Sequence, residues 1–269
     1  MLKQRVITAV VLLCFFLAAL FKLPASGWFV IVGLVVMQGI WEWSKLAKMR
    51  GMAAVIYLVV TFVLLSAMLW MNFNQAISSL QLLIYGAASV FWILVVPAWL
   101  AFRWKVHNPL LMGVVGWLVL FPLGMAMLDL RVESPSPWWL LGVMGLVAMA
   151  DISAYFAGRK FGKNKLAPSI SPGKTWEGVA GAMLGVTVYV GAVMMVSGMT
   201  QNYVLFLYAI IGVALSVVGD LFESAIKRQA GVKDSGTLLP GHGGLLDRID
   251  ALTSTLPLAA LVLILMKLS

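Results

Sequence analysis

The sequence is short of acid, of charge and of cysteine. Only ten of 269 residues are Asp or Glu, charged residues make up 11% of the chain, and Cys14 is the single cysteine. One cysteine excludes an intrachain disulfide, and Cys14 lies in an apolar run where packing is its natural role. The chain also lacks any long polar segment: the stretches between apolar runs are too short to fold separately, which leaves one integral domain and excludes a soluble globule. No internal repeat argues for an inverted-repeat transporter.

What is present is hydrophobic. Apolar residues make up 62% of the chain and the mean hydropathy is +1.00. Runs near residues 6–22, 27–43, 52–71, 80–101, 110–128, 138–157, 178–199, 203–219 and 250–267 are each long enough to cross a bilayer. The expected fold is an all-α polytopic integral membrane protein with about nine transmembrane helices. The first run has the basic start and apolar centre of a signal peptide, and LeuProAlaSerGly at 23–27 is small enough to be cut. Its length and the spans that follow at once favour an uncleaved first helix.

Alternating sides through nine spans puts 16 of the 19 basic residues on the N-terminal side, leaving Lys22, Arg131 and Lys267 opposite. The positive-inside rule then predicts a cytoplasmic N-terminus and a periplasmic C-terminus. The net charge of +9, spread over short loops, fits anionic headgroups better than nucleic acid. In the first five spans little chemistry is expected. Glu42 should pair with Lys45 at the interface, Trp28, Trp41, Trp43, Trp99 and Trp104 should form aromatic belts, and His107 should be solvated.

The scarce acids are concentrated. Asp220, Glu223, Asp234, Asp247 and Asp250, half of all the acidic residues, fall between 220 and 250 with one of the two histidines, His242. Charges flanked by hydrophobic helices are costly unless paired or metal-bound, so they are functional candidates by default. On a helix, Asp220, Ser224, Lys227 and Arg228 share one face, and Asp247 and Asp250 sit at i, i+3 where the next helix begins. The ProGlyHisGlyGly turn at 240–244 lets the chain double back between them. Carboxylates beside cations are what a hard divalent metal and a polyphosphate need in common. Interfacial salt bridges are the simpler reading for any one of these residues, but not for the whole set.

A second polar stretch spans 151–178 on the same side. Asp151 and Tyr155 share a helix face, with Arg159 near it as a partner for the carboxylate. GlyLysThr at 173–175 suggests a phosphate loop, but that motif needs glycine at 168, where Pro168 stands, and no strand precedes it. Ser171, Lys174 and Thr175 could still meet phosphate at a helix N-terminus, or serve as an N-cap and an interfacial lysine.

SerAlaIleLysArg at 224–228, LysAsp at 233–234 and HisGlyGlyLeuLeuAspArgIleAsp at 242–250 closely resemble the signature of the CDP-diacylglycerol synthases, the phosphatidate cytidylyltransferases, of bacterial type. AspIleSerAlaTyrPheAlaGlyArgLysPheGlyLys and SerProGlyLysThrTrpGluGly resemble a second recurring region of the same enzymes. The likeness covers the C-terminal half and implies a dimeric enzyme with a polar cavity open to cytoplasm and laterally to lipid. Residues 1–137 would be scaffold and dimerisation helices, and 138–269 the catalytic helices with cytoplasmic loops 158–177 and 220–249. The implied reaction, CTP plus phosphatidate giving CDP-diacylglycerol and diphosphate in phospholipid biosynthesis at the inner membrane, brings two anions together. One pair of unit charges 4 Å apart repels by about 4 kcal/mol at an effective dielectric near 20.

Cations are therefore obligatory. The resemblance implies Mg²⁺ held by Asp220, Asp247 and Asp250, with K⁺ as a further candidate ion, and Lys227 among the catalytic residues. Arg228, Ser171, Lys174, Thr175, Asp151, Glu177, Ser224, Lys233, His242 and Arg248 would bind substrate. From the residues alone, Lys233 with Asp234 reads as a surface pair, Arg248 as a chain reaching headgroups, and His242 as a turn residue. Two rivals are weaker. A CDP-alcohol phosphotransferase should show an AspGly…AlaArg…Asp…Asp pattern, which is absent. A cation-coupled transporter should carry charges at mid-depth in several spans.

Overall fold

In lipid every backbone N–H and C=O must be satisfied within its own segment, so the apolar runs have to be helices. The computed structural model describes residues 2–73, 78–132, 137–198, 203–238, 241 and 243–268. The helices are α1 (Leu2–Lys22), α2 (Ala25–Leu46), α3 (Met52–Phe73), α4 (Ser78–Val90), α5 (Val96–Phe102), α6 (Pro109–Val132), α7 (Trp138–Phe161), α8 (Trp176–Ser197), α9 (Val204–Ala230) and α10 (Leu246–Leu268). A π-turn, Phe91–Val95, joins α4 and α5 into one rod. It sits just before Pro97, whose missing N–H and bulky ring spoil a regular α-turn. Among the described residues seven rods are long and apolar enough to cross a membrane, and the apolar parts of α1 and α3 are shorter. The chain is an all-α polytopic membrane protein, as its hydropathy predicts.

Among the described residues the sheet is a single hairpin between α7 and α8, where the sequence suggests only loop. Strand β1 (Lys165–Ala167) pairs antiparallel with β2 (Ser171–Thr175), Lys165 opposite Thr175 and Ala167 opposite Ser171. Glu177 ties down its base by accepting from the Asn164 backbone N–H at 3.1 Å and from Asn164 Nδ2 at 2.8 Å.

The helices of both halves share one core. Buried side chains of α2, the α4–α5 rod, α6 and α10 form a continuous cluster that reaches Phe222 and Ile226 of α9. Three of the expected belt tryptophans belong to it. Trp28 and Trp43 are fully buried and donate from Nε1 to the carbonyls of Met127 (3.1 Å) and Met112 (2.7 Å), and Trp99 is buried against Phe222. A buried indole with a backbone acceptor is a core residue with a polar handle, a role that hydropathy does not separate from a belt. Trp41 and Trp104 are exposed, in keeping with the belt expectation, and His107 is exposed as expected.

A second, smaller core joins α7, α8 and α9 through Ala150, Ala182, Val186 and Val213. Here the packing rests on small residues. Gly181 and Gly185 of α8 face Ala157 and Ser153 of α7 so closely that any Cβ would collide with them. Close approach of this kind is how helices associate in lipid without a hydrophobic driving force. It also fixes the ends of the hairpin and sets Lys174 over α9.

Candidate active site

Four segments meet at one end of the bundle: α7, the hairpin, the last turns of α9 and the first turns of α10. The crossing of α9 and α10 is set by Gly219, where a Cβ would lie 2.6 Å from Ser254 Oγ and 2.8 Å from the Asp250 carbonyl. Ser254 Oγ donates to the Leu215 carbonyl at 2.8 Å and locks that crossing. This close approach brings Asp220 beside Asp250. On the opposite face of α9, Phe222 is held edge-on by Phe91, Trp92 and Trp99 at 5.7, 5.5 and 5.4 Å. That aromatic box fixes the rotation of α9 and so the direction of its carboxylates.

The charges form two groups. In the first, Lys174 Nζ of β2 lies 2.6 Å from Asp220 Oδ2, and Ser224 Oγ donates to Asp220 Oδ1 at 3.3 Å. Asp151 and Asp250 repel Asp220 and one another from α7 and α10. The partner expected for Asp151 is not Arg159, which instead donates to Tyr155 at 3.1 Å. Asp151 turns toward Asp220 and Lys174, because α7 presents it to the hairpin strand packed across it.

In the second group Lys227, 8% exposed, bridges two carboxylates: Asp247 Oδ1 at 2.6 Å and Glu223 Oε1 at 3.0 Å. The Glu223 contact is an ion pair angled short of a hydrogen bond, and that oxygen has no hydrogen-bond donor among the described residues. Asp247 Oδ2 accepts from the Gly244 N–H (2.8 Å) and the Ser235 N–H (2.9 Å), and Ser235 Oγ lies 3.1 Å away with its single proton shared with Glu42. Both oxygens of Asp247 are therefore taken up in closing the 235–246 loop onto α9.

Behind this loop stands a residue that sequence reading assigned elsewhere. Glu42 of α2 is 1% exposed and does not pair with Lys45, whose ammonium lies over the Trp41 ring. Its Oε1 accepts from the Leu245 N–H at 2.9 Å and from Gln38 Nε2 at 3.0 Å. Its Oε2 accepts from the Leu246 N–H at 2.9 Å and from Ser235 Oγ at 2.8 Å. A carboxylate some 200 positions away thus caps the N-terminus of α10, satisfying donors that the helix cannot satisfy itself. Gly244 must be glycine here, since a Cβ would run into Ser235 Oγ and Glu42 Oε2, and Gly243 has φ +84° against Asp247. A signal was present: Glu42 is an acid inside an apolar span, next to Trp43 and close to Gln38.

The remaining expected site residues fall as follows. Thr175 is buried and caps α8, its hydroxyl accepting from the Gly178 N–H at 3.1 Å. Ser171 is half-buried in β2. Arg228 points outward and donates to the Val232 carbonyl at 3.1 Å, away from the Asp220 face on which it was expected, because it closes the C-terminus of α9. Lys233, Asp234 and Arg248 are exposed, and no ion pair joins Lys233 to Asp234 among the described residues. His242 lies outside the described residues.

The electrostatic sum is lopsided. Five carboxylates, Asp151, Asp220, Glu223, Asp247 and Asp250, are met by two ammonium groups, Lys174 and Lys227. An excess of acidic side chains over ammonium groups suits a hard cation. Asp220, Asp247 and Asp250 do not stand as one ready-made cage, and among the described residues no three metal-ligating side chains do. Asp247 is the least free of the three, its oxygens being committed to Lys227 and the loop. Mg²⁺ commonly takes only one or two protein carboxylates and completes its shell with water and substrate phosphate. The fit therefore rests on the Asp220–Asp250 side.

Comparison with known proteins follows the same line. The chain matches the cytidylyltransferase family over residues 3–266. It is 40% identical to the phosphatidate cytidylyltransferase of Haemophilus influenzae, over 96% of this chain and 96% of that one. It is 39% identical to the Pseudomonas aeruginosa protein of that name (98% and 97% covered) and 34% identical to that of Brucella melitensis (94% and 90%). With a family match that covers residues 3–266 and relatives alike almost end to end, the chain belongs to the cytidylyltransferase family.

Proposed function

We propose that this protein is a phosphatidate cytidylyltransferase of the bacterial inner membrane, converting CTP and phosphatidate to CDP-diacylglycerol and diphosphate. The observation that carries it is the carboxylate excess at the α7–α9–α10 junction, within the membrane-spanning bundle, where water-soluble and lipid-borne anions can meet. The near full-length likeness to proteins named for this reaction supports it.

Asp220 and Asp250 are proposed to hold Mg²⁺, with Asp151 beside them. When bound, the ion supplies charge neutralisation on the triphosphate and favours in-line displacement at the α-phosphorus. Lys174 pairs with Asp220 at 2.6 Å and would be free to meet a phosphate oxygen wherever Asp220 is engaged by a cation instead. Lys227 keeps Glu223 and Asp247 from repelling each other and so holds the first turn of α10 against α9. The attacking phosphate of phosphatidate is already ionised, so the reaction needs no general base. Substrate recognition by Ser171, Thr175, Glu177, Ser224, Arg228, Lys233, His242 and Arg248, and a K⁺ ion beside Mg²⁺, remain parts of the proposal.

The bundle end that carries the site is assigned to the cytoplasm by its basic residues, with the C-terminus periplasmic, and the active enzyme is proposed to be a homodimer. The test is turnover by purified protein with labelled CTP, phosphatidate and Mg²⁺. Lipid-linked CMP and diphosphate in equal amounts support the assignment. Absence of labelled lipid, with ion flux in proteoliposomes, would favour the transporter instead.

A further inference from the structure

An apolar hollow lies away from the charges. A cavity of about 250 Å³ opens among α7, α8, α9 and α10 toward the ends of these helices opposite the charges, and no charged side chain lines it. Its end nearest the site is formed by Leu215 and Thr255, each five residues from Asp220 and Asp250 along their helices. Five residues of α-helix span about 8 Å. The cavity runs from there past Gly212, Ala259 and Leu146 to Met194 near the far end of the bundle.

Depth decides what fits. Asp220 is 16 residues from Val204, the first residue of α9, which is about 24 Å of helix. A hydrocarbon core is about 30 Å thick, so with the far end of α9 at the opposite surface the carboxylates lie below the near interface. A phosphate drawn down to Asp220 carries its acyl chains with it, past the midplane and into the level of this cavity. Small residues keep the slot open: Gly212 has only Leu146 within van der Waals range of a Cβ, at 3.2 Å.

We infer that this cavity is the acyl-chain site of the lipid substrate, occupied by the distal part of one fatty chain of phosphatidate while its headgroup lies at Asp220 and Asp250. The inference rests on the proposed function and deepens it. The slot gives the enzyme a preference for long chains, since each methylene buried in an apolar pocket adds to discrimination. It also explains why the lining is apolar along α8 and α9 when the same helices carry charge at the other end.

The experiment measures kcat/KM on dioleoyl- and dioctanoyl-phosphatidate in mixed micelles for the wild type, Gly212→Phe and Ala259→Phe. Filling the slot should lower the rate on the dioleoyl substrate by about tenfold or more and leave the dioctanoyl substrate unchanged. Equal loss on both substrates, or no loss on either, overturns the assignment. A second readout uses the wild type alone, so that it stands if a variant fails to fold. Phosphatidate with a diazirine at the end of one chain should label α8 or α9 residues of the cavity, and unlabelled phosphatidate should suppress the adduct. An adduct that survives excess phosphatidate marks an ordinary bilayer lipid in the slot and overturns the inference. If the wild type converts neither substrate, the functional reading itself fails and takes this inference with it.

Discussion

Replacing Glu42 by glutamine tests whether a helix in the N-terminal half builds the site in the C-terminal half. The carboxylate accepts four hydrogen bonds, from Gln38, Ser235, Leu245 and Leu246, and is almost wholly buried. An amide can accept on only one side. Its NH₂ would face the backbone N–H of either Leu245 or Leu246, donor against donor, while Gln38 and Ser235 can each turn an oxygen toward it. A hydrogen bond to a charged group contributes about 1.5–3 kcal/mol, so losing one to a buried backbone N–H should cost roughly that much and lower the Tm in detergent.

Activity should fall further than stability suggests. The same bonds fix the first turn of α10, which carries Asp247 and Asp250, and misplacing a reacting geometry by about 1 Å can cost on the order of 100-fold in rate. Glu42→Asp keeps the charge but is one methylene short, and should recover part of both losses. The assay pairs thermal unfolding with CTP-dependent turnover at saturating substrate. A Glu42→Gln protein with wild-type Tm and wild-type kcat would show that the buried cap contributes nothing, and the reasoning would be wrong.

Three further expectations concern the charged groups. Lys227→Met leaves Glu223 and Asp247 uncompensated in a buried setting and should destabilise the fold by about 3–5 kcal/mol, and unaltered thermal unfolding would count against the bridge. Lys174→Ala removes the ammonium group from Asp220, so the Mg²⁺ concentration for half-maximal rate should fall while KM for CTP rises. A fall in the Mg²⁺ requirement with KM for CTP unchanged would mean that Lys174 only pairs with Asp220 in the substrate-free enzyme, and a rise in the Mg²⁺ requirement would refute the competition. Gly185→Leu should separate α7 from α8, because Ser153 already fills the space a side chain would need, and is expected to abolish folding as judged by size-exclusion chromatography.

The sequence made some of this legible for reasons that can be stated. Apolar runs announced the helices because lipid leaves the backbone no alternative. The acids between 220 and 250 stood out because charge is scarce in this chain. The pairing of Lys174 with Asp220 was not visible, since it depends on a hairpin whose strands are three and five residues long. Pro172 and Gly173 mask β2, and no alternation marks either strand. Glu42 looks like a partner of Lys45 because Lys45 is its helical neighbour, whereas three of its real partners lie 193 to 204 positions away. Trp28, Trp43 and Trp99 read as belt residues because an indole near a span end looks the same in sequence whether it faces headgroups or a neighbouring helix. Local spacing reports local contacts, and this site is assembled from distant ones.

The central claim is that a divalent ion sits between Asp220 and Asp250 when CTP is bound. The most direct measurement is anomalous scattering from a complex with Mn²⁺ and CTP. The account predicts a peak within coordination distance of both carboxylates and of a triphosphate oxygen, with Lys174 moved off Asp220. A peak held elsewhere, with the Lys174–Asp220 pair intact, would contradict it.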